Sequence, residues 1–420
     1  MPLTLSVEQG ISIRAGWYLD KILGKQQKDQ KHIMRYWSIA GMLWLLSCGV
    51  VAQDNWVGQF ASDVKREVRQ RNIPGYAFAV VSDPQREQVF TYGNRTYNGQ
   101  PINGDTLFRL ASVSKTFTSA LTTKLVEQGK LQWSLPVSKL APDYPFLPEL
   151  ANTLTLNHII SQSSGYMPNA YDNLIEANYS VKRVLNELAG LQPICKPGQC
   201  YTYQNALFGV VAEGLDQGLH QNYGQLLTQH LLLPLDMQRT SIGRTPLVGD
   251  DNWAEPHVLI GRGKWRKVKV REDYYRFAPA AGINTSIKDM TQWLRLMLGY
   301  YPHILSDYAI EEMISPRVRT SRELYRRHWR DHLNDAHYGL GWRIYDFDGE
   351  RLAHHGGWVK GYRADISFAP DHGVGLILLM NAESNLVNEI IVNFWRQHFE
   401  LAKIRGAATP VISANTESRP

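Results

Sequence analysis

Two apolar periodicities alternate along this chain and divide it into three stretches. Trp56, Phe60, Val64 and Val68 recur every fourth position, which predicts an amphipathic helix ending near Arg71. Pro74 and Gly75 then turn the chain into Tyr76–Val81, an unbroken apolar run that reads as a strand. Gln88–Tyr92 continues the sheet after a turn at Ser82–Pro84. Leu121 and Leu125 share one face of a helix that closes at Gly129. From about residue 130 to 275 the pattern breaks into short helices and Pro-rich loops. Strands return at Gly341–Tyr345, Arg363–Phe368 and Val374–Leu379, and a last amphipathic helix covers about Leu386 to Leu401. Gly406–Pro420, rich in Ala, Thr, Ser and Pro, is expected to be loose. No internal repeat is visible.

Strands at both ends with helices between them predict one sheet closed by the two termini, with a mostly helical subdomain inserted. The expected divisions are a leader (1–52), a main folded domain (53–402) and a tail (403–420). Within that domain one lobe takes about 55–115 and 280–402, and a helical lobe takes 116–279. A cleft between two such lobes is a natural ligand site.

Composition narrows the class. Of 420 residues, 44% are hydrophobic and 20% charged, with 33 Gly and 20 Pro, which excludes a disordered tail, a collagen-like repeat and a disulfide knot. The formal charge of +6 is half contributed by the leader and Arg35, leaving +3 for residues 53–420. So small an excess speaks against a nucleic-acid binder working by phosphate neutralisation.

Export is expected. Arg35 precedes the apolar run Ile39–Leu46 and small residues follow at Val50 and Ala52, a secretory pattern. The run is well short of the roughly 20 residues that span a bilayer. Met34 stands where such a signal begins, so residues 1–33 read as an upstream extension; a retained anchor is the alternative. Leu45-Leu46-Ser47-Cys48 also resembles a lipoprotein processing box, which would anchor a periplasmic product through Cys48 and make the leader or that lipid its one membrane contact. Cys195 and Cys200 bracket a tight turn and are expected to bridge in an oxidising compartment. The rival zinc half-site lacks a second ligand pair at the right spacing.

Three motifs carry chemistry. In Phe108–Phe117, Ser112 and Lys115 stand three apart, so a helix starting near Ser112 places the amine one turn above the hydroxyl. The positive helix end favours an anionic transition state, and a buried lysine loses its proton readily enough to act as a base. Ser62 and Lys65 share that spacing, but they fall mid-helix on a solvated face. In Pro197–Gly209, Tyr203 and Asn205 stand two apart on a loop entering a helix and can face one pocket. The phenol would relay a proton and the amide would hold a carbonyl. Tyr92/Asn94 and Tyr171/Asn173 repeat the bare spacing without the Pro-Gly before it and the helix start after it. In His354–Arg363, adjacent glycines in a strand would let a ligand backbone approach an edge, and the Trp358 amide would join that of Ser112 as an oxyanion hole. Alternation lets only one of the two histidines line the cleft.

Together these residues resemble the serine β-lactamase and penicillin-binding-protein superfamily, most closely its class C β-lactamase and esterase branch. Ser-x-x-Lys, Tyr-x-Asn and His-x-Gly occur in the family order. Leu156–Gly165, Pro234–Met237 and Ala281–Thr285 look like its flanking segments, and the likeness spans about residues 55–400. The resemblance implies an α+β fold with an antiparallel sheet of N- and C-terminal strands. It implies Ser112 as the acylated nucleophile, Lys115 as its proton acceptor, Tyr203 as acid/base, and Asn205, His355 and Gly357 as substrate contacts. His355-Gly356-Gly357 replaces the Lys-Thr-Gly of the β-lactamases, so carboxylate capture and β-lactam turnover should be weak, with esters and D-amino-acid peptides favoured.

The expected partner is a small molecule or peptide, in one version cell-wall derived; no cofactor, metal or nucleic acid is expected. The rivals are a non-turning penicillin- or peptidoglycan-binding protein and a structural wall protein using its basic stretches. Those stretches are Arg262–Arg271, read as an exposed solvated hairpin, and Arg317–Arg330, read as a surface insertion.

Overall fold

Tyr76–Val81 is apolar at every position because the strand it forms is covered on both faces: all seven residues of β1 (Gly75–Val81) are buried. The computed structural model describes residues 56–96 and 99–408. The leader with Met34 and Cys48, and the chain beyond Ala408, lie outside the described residues. The chain divides into two units, residues 1–64 and 65–420. Of the first, residues 56–64 are described and helical, the helix running on to residue 70.

The second unit is built on strands from both ends of the chain. After β1 come β2 (Glu87–Gly93), β3 (Phe108–Arg109), β4 (Ser241–Ile242), β5 (His257–Gly261), β6 (Lys264–Lys267) and β7 (Ile283–Thr285). Then follow β8 (Val318–Arg319), β9 (Leu333–Tyr338), β10 (Arg343–Phe347), β11 (Glu350–Val359), β12 (Tyr362–Ala369) and β13 (Val374–Met380). The main sheet runs β2-β1-β13-β12-β11-β10-β9-β8, antiparallel throughout. β1 pairs directly with β13, so the two ends of the chain close one sheet as the apolar pattern predicts. Between them lie short helices and two small sheets, β3-β7-β4 and the hairpin β5-β6. The architecture is α+β with the expected antiparallel sheet.

Helices cover both faces. Ile287–Met297, capped by the Ser286 hydroxyl, packs on β1 and β13 and stacks Trp293 on Phe117 of helix Ser114–Glu127, ring centroids 3.7 Å apart. On the other face Trp395 donates to the Ser367 hydroxyl of β12 at 2.8 Å, docking helix Leu386–Ala408. That helix runs seven residues past the expected end at Leu401, so residues 403–408 are helical where a loose tail was expected. No described helix is long and apolar enough to cross a membrane.

The two basic stretches part company. Arg262–Arg271 enters the hairpin as expected: Arg262, Lys264 and Arg266 are exposed, Lys267 pairs with Glu255, and the Trp265 indole donates to the Arg71 carbonyl. Arg317–Arg330 is no mere surface insertion. Trp329 is fully buried against Tyr345 and His354, with ring centroids at 5.2 and 4.7 Å, and its indole N–H donates to Asn388. Glu323 accepts from Arg343, Arg326 and Tyr345. Burial would push its carboxyl up, but the two guanidiniums hold it at about 2. Charge density on the segment masks one tryptophan and one glutamate that strap it onto the sheet. Trp329→Ala is therefore expected to lower the unfolding free energy by about 3–5 kcal/mol, read from the denaturant midpoint. A loss below about 1 kcal/mol would refute the strap.

Candidate active site

Ser112 sits in a short 3-10 turn, Ala111–Val113, that runs straight into helix Ser114–Glu127. Its N–H belongs to a first turn, where amides lack intrahelical acceptors. Ala111 just before it holds φ +50°, a left-handed conformation unusual for a residue with a Cβ. The spacing of three places Lys115 Nζ 3.4 Å from Ser112 Oγ. Lys115 is fully buried and also donates to Asn205 Oδ1 at 2.8 Å and to the Ala280 carbonyl at 3.0 Å. Helix Ser114–Glu127 closes on the β9–β10 turn through glycine: a Cβ at Gly341 would stand 2.9 Å from the Lys115 carbonyl.

Tyr203 and Asn205 reach the same place from an extended stretch. The side chain of Gln162 brackets Gln204, accepting from its N–H and donating to its carbonyl, and the Gln162 carbonyl accepts from Thr202 N–H. The Thr202 hydroxyl accepts from the Gly165 N–H and the Gln204 side chain donates to the Met167 carbonyl, so alternation turns the Tyr203 and Asn205 side chains to the other side. The turn before them is closed by a disulfide between Cys195 and Cys200. The Tyr203 ring centroid lies 4.8 Å from Lys115 Nζ. Ser62 and Lys65, the rival pair, are exposed on the helix over 56–70.

A cleft of about 770 Å³ is lined by Ser112, Tyr203, Asn205, Asp172, Arg343 and Trp358 among others, with Lys115 beneath its floor. β11 forms one wall. Lys360 and Gly361 make a two-residue hairpin, so Val359 and Tyr362 are its closing hydrogen-bonded pair and Trp358–Arg363 is a non-bonded one. The Trp358 N–H therefore points away from β12, toward the edge of β11 past the start of β10 at Arg343–His354. The Trp358 ring is exposed and its indole donates to Glu383.

One expected substrate contact is corrected here. His355 does not line the cleft: it is fully buried, with Nδ1 3.1 Å from the Gly356 carbonyl and Nε2 3.1 Å from the Tyr338 hydroxyl. A carbonyl only accepts, so Nδ1 carries the proton and Nε2 accepts from Tyr338. Burial, with Arg343 and Lys115 nearby, pushes the His355 pKa well below its usual value, so the ring is neutral and offers no charge to a substrate. Gly357 is needed for a reason within the protein. A Cβ there would stand 2.2 Å from the Leu110 carbonyl, so the glycine admits the chain that carries Ser112. His354 turns to the opposite face and pairs with Asp365 at 2.9 Å.

Sequence reasoning missed the charged partners. Asp172 accepts from Asn205 Nδ2 at 2.8 Å, although Tyr171/Asn173 on either side of it matched a motif spacing. Arg343, whose Nε donates to Glu323, faces the Tyr203 ring at 5.6 Å and gives the cleft a fixed cation. Burial pushes the Lys115 pKa down, opposed by Tyr203 and Asp172. Burial pushes Asp172 up, opposed by its bond from Asn205 and the charge of Lys115. Among the described residues no group of three His, Cys, Asp or Glu is placed to hold a metal. A hydroxyl, a desolvated amine, a phenol and a free strand-edge amide thus converge, an arrangement suited to acyl transfer.

The β-lactamase family model matches residues 60–395, and the chain belongs to that family. It is 24% identical to Protein flp of Staphylococcus aureus strain MW2 over 345 residues, 79% of this chain and 64% of that protein. It is 24% identical over 312 residues to a protein of Escherichia coli strain K12 named Beta-lactamase, covering 74% and 76% of the two chains. It is likewise 24% identical to the Unguisins hydrolase ungD' of Aspergillus campestris, covering 77% of this chain and 61% of that one. The chain thus spans less than two thirds of Protein flp and of the unguisins hydrolase. An octameric penicillin-binding protein homologue from Pyrococcus abyssi superposes with a TM-score of 0.69 at 22% identity over 78% and 74% of the chains, which supports the fold.

Proposed function

We propose that this protein is a serine hydrolase of the class C β-lactamase-related branch, acting outside the cytoplasm through an acyl-enzyme on Ser112. The observation that carries the reading is the 3.4 Å approach of Lys115 Nζ to Ser112 Oγ, with the amine wholly buried. Neutral Lys115 takes the hydroxyl proton as Oγ attacks the carbonyl carbon. The oxyanion rests on the N–H groups of Ser112 and Trp358. Tyr203 protonates the leaving group and is reprotonated from Lys115; water then attacks the ester carbonyl, giving its proton through Tyr203 and Lys115 to Ser112 Oγ as the C–Oγ bond breaks. The Cys195–Cys200 bond supports an oxidising compartment.

Esters, amides and D-amino-acid peptides fit the cleft better than penicillins. A β-lactamase relies on a lysine and a hydroxyl for the substrate carboxylate, and this chain has buried neutral His355 and Gly356 at those places. Arg343 is a fixed cation of the cleft lining, and Glu323 already shares its charge. Loss of a buried cation–carboxylate contact costs about 2–5 kcal/mol, or about 30- to 5,000-fold in kcat/KM. The expected result is kcat/KM on a chromogenic cephalosporin at least about 30-fold below that of a dedicated β-lactamase, with an activated ester cleaved readily. Equal efficiency would overturn the preference. Labelling by a fluorophosphonate probe that requires Ser112 tests the nucleophile, and stoichiometric labelling without turnover of any ester would favour the non-turning binding protein.

A further inference from the structure

Lys115, Asn205 and Asp172 form a relay in which each hydrogen bond has one permissible direction. As an ammonium Lys115 Nζ only donates, and as the free amine its single lone pair is spent on the Ser112 hydroxyl; an ionised carboxylate only accepts, so the amide between them satisfies both neighbours in one orientation. Its oxygen accepts from Lys115 at 2.8 Å and its nitrogen donates to Asp172 Oδ2 at 2.8 Å. Flipped, the amide would set NH2 against the ammonium and oxygen against the carboxylate.

We propose that Asp172 is a positioning residue: through Asn205 it fixes the amide oxygen on Lys115 Nζ and so holds the amine at Ser112 Oγ. The inference rests on Ser112 and Lys115 acting as proposed above. Asp172 stands at the first position of helix Asp172–Glu176, where Tyr171 at φ +63° turns the chain into the cleft wall. The same bond commits one of the two Asn205 amide N–H groups to the protein, leaving a single N–H for a substrate carbonyl.

The carboxylate also sets the charge state of the amine. The charged or titratable groups facing Lys115 are Tyr203, Asp172 and Arg343, with His355 behind; those facing Asp172 are Lys115, Tyr274 and Glu176. Asp172 favours the ammonium and Arg343 disfavours it. Removing the carboxylate therefore lets Lys115 lose its proton at lower pH.

The test is the pH dependence of kcat/KM on an uncharged activated ester for wild type, Asp172→Asn and Asp172→Ala, with fluorophosphonate labelling run in parallel. The acid limb is expected to move to lower pH in both variants. Asn keeps an acceptor for Asn205 and should lose only a few-fold in rate at the plateau, whereas Ala frees the amide and should lose about 10- to 100-fold. An acid limb unmoved in Asp172→Asn, or a plateau for Asp172→Ala equal to wild type, would overturn the proposal. Should the Ala variant not fold, the acid limb of the Asn variant decides alone. Failure of the parent reading looks different, because wild type itself would then neither label nor turn over.

Discussion

Ser112→Ala is expected to lower kcat/KM on an activated ester by about 10⁴- to 10⁶-fold and to abolish fluorophosphonate labelling. The size of the loss follows from what the hydroxyl does. It forms the covalent bond, and no other hydroxyl on that 3-10 turn or the first turn of its helix is placed for the work. Ser114 Oγ is buried and accepts from the Ile283 N–H at 3.1 Å, while the Thr116 hydroxyl donates to the Val113 carbonyl at 2.8 Å. Both face away into the helix packing. The Ser112 side chain is partly exposed in the cleft, so truncation leaves no buried cavity and the melting temperature should stay within a few degrees of wild type. Intact mass after incubation with the probe gives the decisive readout. Retention of an adduct in the Ala variant would remove Ser112 from the mechanism.

Lys115→Met is expected to cost about 10²- to 10⁴-fold in kcat/KM, the usual worth of a positioned general base. Methionine keeps length and apolar stem but cannot take a proton. The pH profile separates this from simple disruption. Burial lowers the Lys115 pKa from the ordinary lysine value, and Arg343 adds to that, against Tyr203 and Asp172. Below that pKa the ammonium predominates and cannot accept the Ser112 proton; above it the free amine can. Wild-type kcat/KM should therefore rise with pH through the Lys115 pKa and then level, and Lys115→Met should lose that limb along with the rate. A variant with full rate, or with low rate but the same limb, would assign the base elsewhere.

How far the site was legible depended on whether its partners were near in sequence. Ser112 and Lys115 are three apart and Tyr203 and Asn205 two apart, so helical rise and strand alternation place each pair without knowledge of the rest. Asp172, 33 residues from Asn205, and Arg343, 140 residues from Tyr203, carry no such local mark. His355 shows the converse. Its motif position suggested a substrate contact, yet Tyr338 and the Gly356 carbonyl hold the ring inside the protein. Trp329 was hidden the same way, since a charge-rich segment reads as solvated until a large apolar residue within it finds a pocket.

The apolar periodicities alone determined an α+β chain whose end strands share a sheet, because a run such as Tyr76–Val81 requires cover on both faces. The local spacings determined which hydroxyl, amine and phenol could serve one reaction. Only the tertiary structure decided that these meet in one cleft, that neither histidine lines it, and that a carboxylate and a guanidinium complete its charge. Those outcomes depend on contacts between segments far apart in the chain, and a one-dimensional pattern carries no distance between them.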